Sequence, residues 1–225
     1  MILSQRTLAF APLRDTKGKH DATGAFQPEA RRFLEHHGLS PSNLVLVDNG
    51  LPKSGMREAV LARIAETRRR TSAVVGETRA VVFFCHGWRK GMQFGFDLST
   101  VLQLAQAVKD FAGDHAVVMF YSCSVGSGPG MNGDGGFADV LRDALCSVGA
   151  VWCSVTGHYT AGHCTMNPYA NRFVGLGSAA GGIGGFTLVS RSNRALWAKW
   201  RAALKTGFRF DYPLLTAEEI LKSLA

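Results

Sequence analysis

Apolar residues along this chain fall into short runs separated by longer amphipathic stretches. Five runs, "TLAFAPL" (7–13), "NLVLVDN" (43–49), "AVVFFCH" (80–86), "AVVMFYSC" (116–123) and "AVWCSVT" (150–156), are rich in β-branched or aromatic residues and bounded by Gly, Asn, Asp or Ser. Near-continuous apolarity over so few residues marks a strand buried on both faces, as in parallel sheets. Between the runs lie helical patterns at Pro28 to His37, Met56 to Arg70, Leu98 to Ala112 and Phe137 to Val148. Three of these are followed by a glycine, Gly38, Gly113 or Gly149, able to take the left-handed cap conformation.

The alternation predicts an α/β domain spanning 1–225, with right-handed crossovers and a mostly parallel sheet of five to six strands in flavodoxin-like order, helices covering both faces. "GGFTLVS" (184–190) is the candidate sixth strand, and helices over 193–205 and 216–224 would complete the domain. The polar segment 14–26 reads as a surface loop over one end of the sheet. Two glycine-rich runs, 126–136 and 175–185, read as mobile, the first as a lid or self-cleavage site. There is no internal repeat and no linker rich in Pro or Ser.

Composition narrows the setting. A chain of 225 residues with 46% apolar content is long enough to bury a full core. Its five cysteines, at 85, 123, 146, 153 and 164, are odd in number and form no CxxC pair, which points to a reducing compartment. Gln5 and Arg6 break the first apolar stretch too early for a signal peptide, and no apolar run is long enough to span a bilayer. A cytoplasmic protein without a membrane partner is expected.

Net charge is +8 and unevenly placed: no Asp or Glu occurs from Ala144 to Phe210, whereas Arg172, Arg191, Arg194, Lys199, Arg201, Lys205 and Arg209 all do. A solvated helix face with scattered loop charges accounts for this; the sharper expectation is an acidic partner or nucleic acid held by the basic C-terminal third.

The candidate chemistry sits at two strand ends. The third run stops at His86 followed by Gly87, and the fourth at Cys123. Ligands of open α/β sheets bind outside the carboxyl ends of the strands, so both side chains should reach that edge, about 4.8 Å apart if their strands are neighbours. A thiol beside an imidazole suits covalent acyl transfer: Cys123 attacks, His86 manages the proton, and the N–H groups of Gly87 and Cys123 hold the oxyanion. Cys85 should face the opposite side of its strand by period-two alternation.

A hydrophobic third strand ending in His-Gly, a helix, then a hydrophobic fourth strand ending in Cys resembles the caspase-like cysteine peptidases, the group of caspases, metacaspases, gingipains, separase and CHAT domains. The resemblance covers mainly residues 80–156. It implies a caspase-like fold and a thiol peptidase acting on peptide or protein substrates without cofactor or metal. It also implies a His86–Cys123 dyad with Gly87 in the oxyanion hole, and a specificity pocket built partly from "GHYTAGHC" (157–164). The Gln-Ala-Cys-x-Gly signature is replaced by Tyr121-Ser122-Cys123-Ser124-Val125-Gly126, and the dyad separation, 123 − 86 = 37, is below the caspase value of about 50. A compact, divergent member is implied, without transfer of caspase-type Asp specificity.

Other readings use the same residues. Ser124 could be the nucleophile of a serine α/β-hydrolase, its acid being Asp134, Asp139 or Asp143 and its base His158. Cys153, His158, His163 and Cys164 could hold zinc, although their spacing matches no standard site. "GLGSAA" (175–180) matches a dinucleotide fingerprint only superficially. A non-catalytic binding domain on the same fold is the alternative from another class. Within the peptidase reading, Trp88, His158, Tyr159 and His163 should line the pocket. With no acid in that region, an acidic, polar or small apolar side chain should enter it, unless a remote acid such as Asp15, Asp21, Asp48 or Asp97 reaches in.

Overall fold

The computed structural model describes residues 3–15, 24–70, 78–160, 170–177 and 186–187. Among these residues, ten strands and four α-helices occur in the order β1 (Leu8–Pro12), α1 (Phe26–His36), β2 (Leu44–Val47), α2 (Lys53–Arg70), β3 (Ala80–Phe84), β4 (Gly87–Trp88), β5 (Gly91–Met92), β6 (Phe96–Asp97), α3 (Val101–Ala112), β7 (Val117–Tyr121), α4 (Phe137–Ser147), β8 (Ser154–His158), β9 (Ala170–Val174) and β10 (Phe186–Thr187). Seven strands form the main sheet in the order β10-β9-β8-β7-β3-β1-β2, and β4-β5-β6 form a small second sheet. The five strands β2, β1, β3, β7 and β8 are parallel, in the flavodoxin-like order expected, and β9 and β10 continue the sheet by antiparallel pairing.

Period-two alternation sorts the strand residues between two cores. Phe10, Val81, Phe83, Val118 and Phe120 pack under α2, α3 and α4. Ala9, Ala80, Val82, Phe84, Met119 and Tyr121 pack under α1, against Phe26, Ala30, Phe33 and Leu34. The register Phe10↔Phe83↔Phe120 stacks three rings across three strands, with centroid spacings of 5.4 and 5.3 Å. Phe84 and Tyr121 stack on the other face at 4.6 Å, 2° from coplanar. Such pairs add about 0.5–1.5 kcal/mol each beyond area burial, and here they lock the register of β3 against β7.

The three glycines expected to close helices, Gly38, Gly113 and Gly149, all have positive φ, from +62° to +92°. The fifth expected strand is displaced: Ala150 to Cys153 form turns, with Ala150 N–H donating to Leu145 O and Cys153 N–H to Ala150 O, and the strand begins at Ser154. Gly157 and His158 are therefore strand residues rather than part of the loop expected over 157–164. The glycine-rich run 126–136, expected as a lid or cleavable loop, is a close-packed turn containing a 3-10 segment, Met131–Gly133. A Cβ on Gly126 would stand 2.2 Å from Gly157 O and one on Gly136 1.9 Å from Ser127 O, so the glycines are required by backbone contact. The helices expected at 193–205 and 216–224, most of 175–185 and 184–190, and the centre of the 14–26 loop lie outside the described residues.

Candidate active site at the ends of β3 and β7

β3 and β7 pair in parallel from Ala80↔Val117 to Phe84↔Tyr121. Counting two residues on from the last pair reaches His86 on one chain (84 + 2) and Cys123 on the other (121 + 2), so the parallel register carries both to the same carboxyl edge of neighbouring strands. Both are half-buried, neither sealed in the core nor fully in solvent. His86 lies on the α1 side, where its imidazole stands perpendicular to the Phe26 ring with centroids 5.0 Å apart. Its backbone is held twice by Gln93: the Gln93 side-chain oxygen accepts from His86 N–H at 3.2 Å, and Gln93 N–H donates to His86 O at 2.9 Å.

Cys85 and Ser122 take the opposite face, Sγ and Oγ 3.5 Å apart and both buried. Burial pushes the Cys85 thiol up to about 12, which keeps it protonated and inert at neutral pH. The alternation expected for Cys85 is therefore observed.

The chain turns sharply after Cys123. Ser124 has φ +55°, the one left-handed non-glycine residue described. Its N–H donates to Thr160 O at 3.1 Å, and its carbonyl accepts both the N–H and the hydroxyl of Ser127, at 3.1 and 2.7 Å. Gly126 N–H then donates to His158 O at 2.8 Å, and Asn171 Nδ2 donates to Gly126 O at 2.7 Å. Cys123 thus sits at the apex of a turn tied on both sides to the end of β8 and to β9.

Gly87, in β4, packs directly on this turn. A Cβ there would lie 2.4 Å from Val125 Cγ2, 2.7 Å from Ser122 Cβ and 3.1 Å from Cys123 O. His158 ends β8 beside Tyr121, ring centroids 6.0 Å apart, with half-buried Tyr159 next in the chain. The structure therefore brings His86, Gly87, Cys123, His158 and Tyr159 to one edge. Trp88 stands apart: it alternates to the other side of β4, 40% exposed, with Lys53 Nζ 5.7 Å from its ring. His163, the other residue expected in that wall, lies outside the described residues.

The same geometry bears on the alternatives. A nucleophile elbow runs from strand to serine straight into a helix. Here α4 starts at Phe137, thirteen residues past Ser124 (137 − 124 = 13). Asp139 is buried and bonded to Arg142 at 2.8 Å, Asp143 also pairs with Arg142, and Asp134 lies in the turn before α4. Cys153 packs in the core under α4 and His158 sits on the α1 face, so the two cannot share a metal ion; Cys164 lies outside the described residues.

Phe26 and Gln93 are the contacts to His86 that sequence reasoning missed. The chain did carry a signal for the segment that brings Gln93: in "GMQFGFD" Met92, Phe94 and Phe96 alternate and all three are buried. Compared with known proteins, the chain matches no family model, no curated protein and no solved structure.

Proposed function

We propose that the protein is a cysteine endopeptidase of caspase-like type, with His86 and Cys123 as its catalytic dyad. The observation carrying this reading is the register: the paired strands β3 and β7 each run two residues past their last pair into a histidine and a cysteine on one edge. The five-strand order and the His-Gly element packed against the cysteine turn agree with what the family resemblance implies.

In this mechanism His86 accepts the thiol proton of Cys123, and the thiolate attacks the carbonyl carbon of the scissile peptide bond. The C=O π electrons move onto oxygen, and the oxyanion receives hydrogen bonds from the N–H groups of Gly87 and Cys123. Collapse breaks the C–N bond; the imidazolium gives its proton to the departing amine, leaving a thioester. Water, deprotonated by His86, attacks that thioester and returns the thiol. Phe26 holds the imidazole plane and Gln93 holds its backbone, so the base needs little reorganisation. His158 and Tyr159 stand at the same edge, where they would meet the substrate. Cys85, Cys123, Cys146 and Cys153 form no disulfide, which suits a reducing compartment such as the cytoplasm. No described helix is long and apolar enough to cross a membrane.

Cys123→Ala and His86→Ala should each abolish peptide hydrolysis while leaving the circular dichroism spectrum and thermal transition in place, since neither side chain is core packing. Residues of one catalytic unit are not additive, so the double variant should be no worse than the worse single one. Wild-type turnover in either single variant refutes the dyad.

A further inference from the structure

Of the described acids near the carboxyl edge, Asp134 stands exposed in the turn after Cys123, whereas Asp15, Asp48 and Asp97 already have partners. Asp15 accepts the N–H of Gly24 at 2.9 Å and of Gln27 at 2.8 Å. Asp48 pairs with Arg14 at 3.1 Å and accepts Gly50 N–H at 2.9 Å. Asp97 closes the start of α3, accepting from Ser99 and Thr100, and those bonds hold its carboxyl below the ordinary carboxylate range.

The cations beside the same edge are not committed. Arg89 and Lys90 form the exposed two-residue turn between β4 and β5, immediately after the exposed Trp88. Lys53, at the start of α2, lies over the Trp88 ring at 5.7 Å. None of the three has an ion-pair partner among the described residues. Their positions are fixed by backbone: Arg89 O accepts Phe137 N–H at 2.8 Å, and Gly95 packs so closely on α2 that a Cβ would meet Lys53 O at 2.0 Å. Near one exposed indole stand three positive charges without an ion-pair partner among the described residues: Lys53 on α2, and Arg89 and Lys90 directly after Trp88 in the chain that carries His86 and Gly87.

We infer that Lys53, Arg89 and Lys90, with Trp88 between them, form a docking surface for an acidic stretch of the peptide substrate flanking the scissile bond. The inference rests on the peptidase reading and adds the substrate class to it. Asp or Glu carboxylates would complete charges that the fold leaves open, and an apolar or aromatic neighbour would lie on the indole. Trp88, Arg89 and Lys90 follow Gly87 directly in the chain, so the surface would select residues flanking the bond rather than the side chain at the bond itself. Fixed charges of one sign beside a cleft raise the local concentration of an oppositely charged ligand by about tenfold or more, an advantage that salt removes.

The experiment uses two peptide libraries, matched except that flanking positions carry Asp and Glu in one and Asn and Gln in the other. Wild-type kcat/KM should favour the acidic library by about tenfold in 50 mM salt, falling toward parity near 500 mM. Arg89→Glu/Lys90→Glu should erase or invert that ratio, and Trp88→Ala should reduce it. A wild-type ratio of one, a preference for basic flanks, or an unchanged ratio in the charge-reversed variant overturns the inference. The same labelled peptides are also titrated onto the Cys123→Ala protein by fluorescence anisotropy, so the surface is read without turnover. Salt-sensitive binding of the acidic peptide that is lost in the charge-reversed background supports the docking surface even if no peptide is hydrolysed; equal binding of both peptides overturns it. Absence of hydrolysis in both libraries counts against the peptidase reading alone. Salt-sensitive binding of a short single-stranded oligonucleotide at this patch, without preference for the acidic peptide, overturns the peptide assignment in favour of nucleic acid.

Discussion

Replacing Gly87 by alanine tests both the packing and the chemistry of the site. The added methyl would sit 2.4 Å from Val125 Cγ2 and 2.7 Å from Ser122 Cβ. Non-bonded carbons settle at about 3.5–4.0 Å, so the nearer contact is short by at least about 1.1 Å. Neither neighbour yields easily. Val125 is fully buried and its carbonyl accepts from Ala138 N–H at 3.2 Å, while Ser122 is buried with its hydroxyl on Cys85 Sγ. β4 itself is held through Phe137 N–H on Arg89 O and Gln93 N–H on His86 O. Gly87 is not in the left-handed region, so the penalty is steric rather than conformational. Overpacking of this kind costs about 1–3 kcal/mol, read as a fall in the urea midpoint. Relief requires β4 to lift away from Cys123, which carries the Gly87 N–H off the position of the oxyanion. Removing one such donor costs about a hundredfold or more in kcat. Gly87→Ala should therefore lose stability and turnover together, with KM little changed. Lost stability with unchanged hydrolysis would remove Gly87 from the oxyanion hole. A variant with wild-type midpoint and wild-type turnover would falsify the whole contact argument.

Ser124 offers a complementary pair of variants, because left-handed backbone costs an ordinary residue about 1–2 kcal/mol and a β-branched one more. Ser124→Gly should keep full activity with equal or higher thermal stability, whereas Ser124→Val should lose turnover at least tenfold; equal activity in the two would show that the turn does not aim Cys123. A limiting alkylating agent at neutral pH, followed by mass spectrometry, should label Cys123 ahead of Cys146. It should leave Cys85 and Cys153 unmodified, since burial pushes both thiols up to about 12 and only the thiolate reacts. Preferential labelling of Cys146 would contradict an imidazole-activated Cys123.

The strands that could be read from sequence are those buried on both faces. β1, β3 and β7 are fully buried along their length, and their runs of Val and Phe leave no polar phase to confuse with a helix. β8 was misplaced because Ala150 to Cys153 look like strand by composition, whereas the glycine cap at Gly149 commits the backbone to a turn first and Trp152 is left 49% exposed. β9 was missed for the converse reason. Its sequence, Ala-Asn-Arg-Phe-Val, interrupts the apolar run with two polar residues whose partners are distant in the chain. Asn171 reaches Gly126 O, and Arg172 reaches Ser154 Oγ at 2.8 Å. Long-range satisfaction of buried polar groups leaves no local trace.

Glycine explains the largest misreading. Eleven residues from 126 to 136 include six glycines, a composition shared by flexible linkers and by backbones in van der Waals contact. The contacts decide between these: Gly126, Gly128, Gly133 and Gly136 each bring a carbonyl within about 2.2 Å of where a Cβ would be, so the segment is a brace rather than a lid. That changes how the site is built. With residues 126–136 braced against β8 and β9, the turn carrying Cys123 has a fixed floor, and Gly87 closes on it from β4. The proposed nucleophile and base are thereby positioned from opposite directions. The sheet register brings His86 and Cys123 to one edge, as strand ends alone suggested, but their aim depends on Phe26, Gln93 and the strained turn at Ser124. Each of these acts through a contact distant in sequence or a single backbone angle, so the pair was legible in the sequence and its alignment was not.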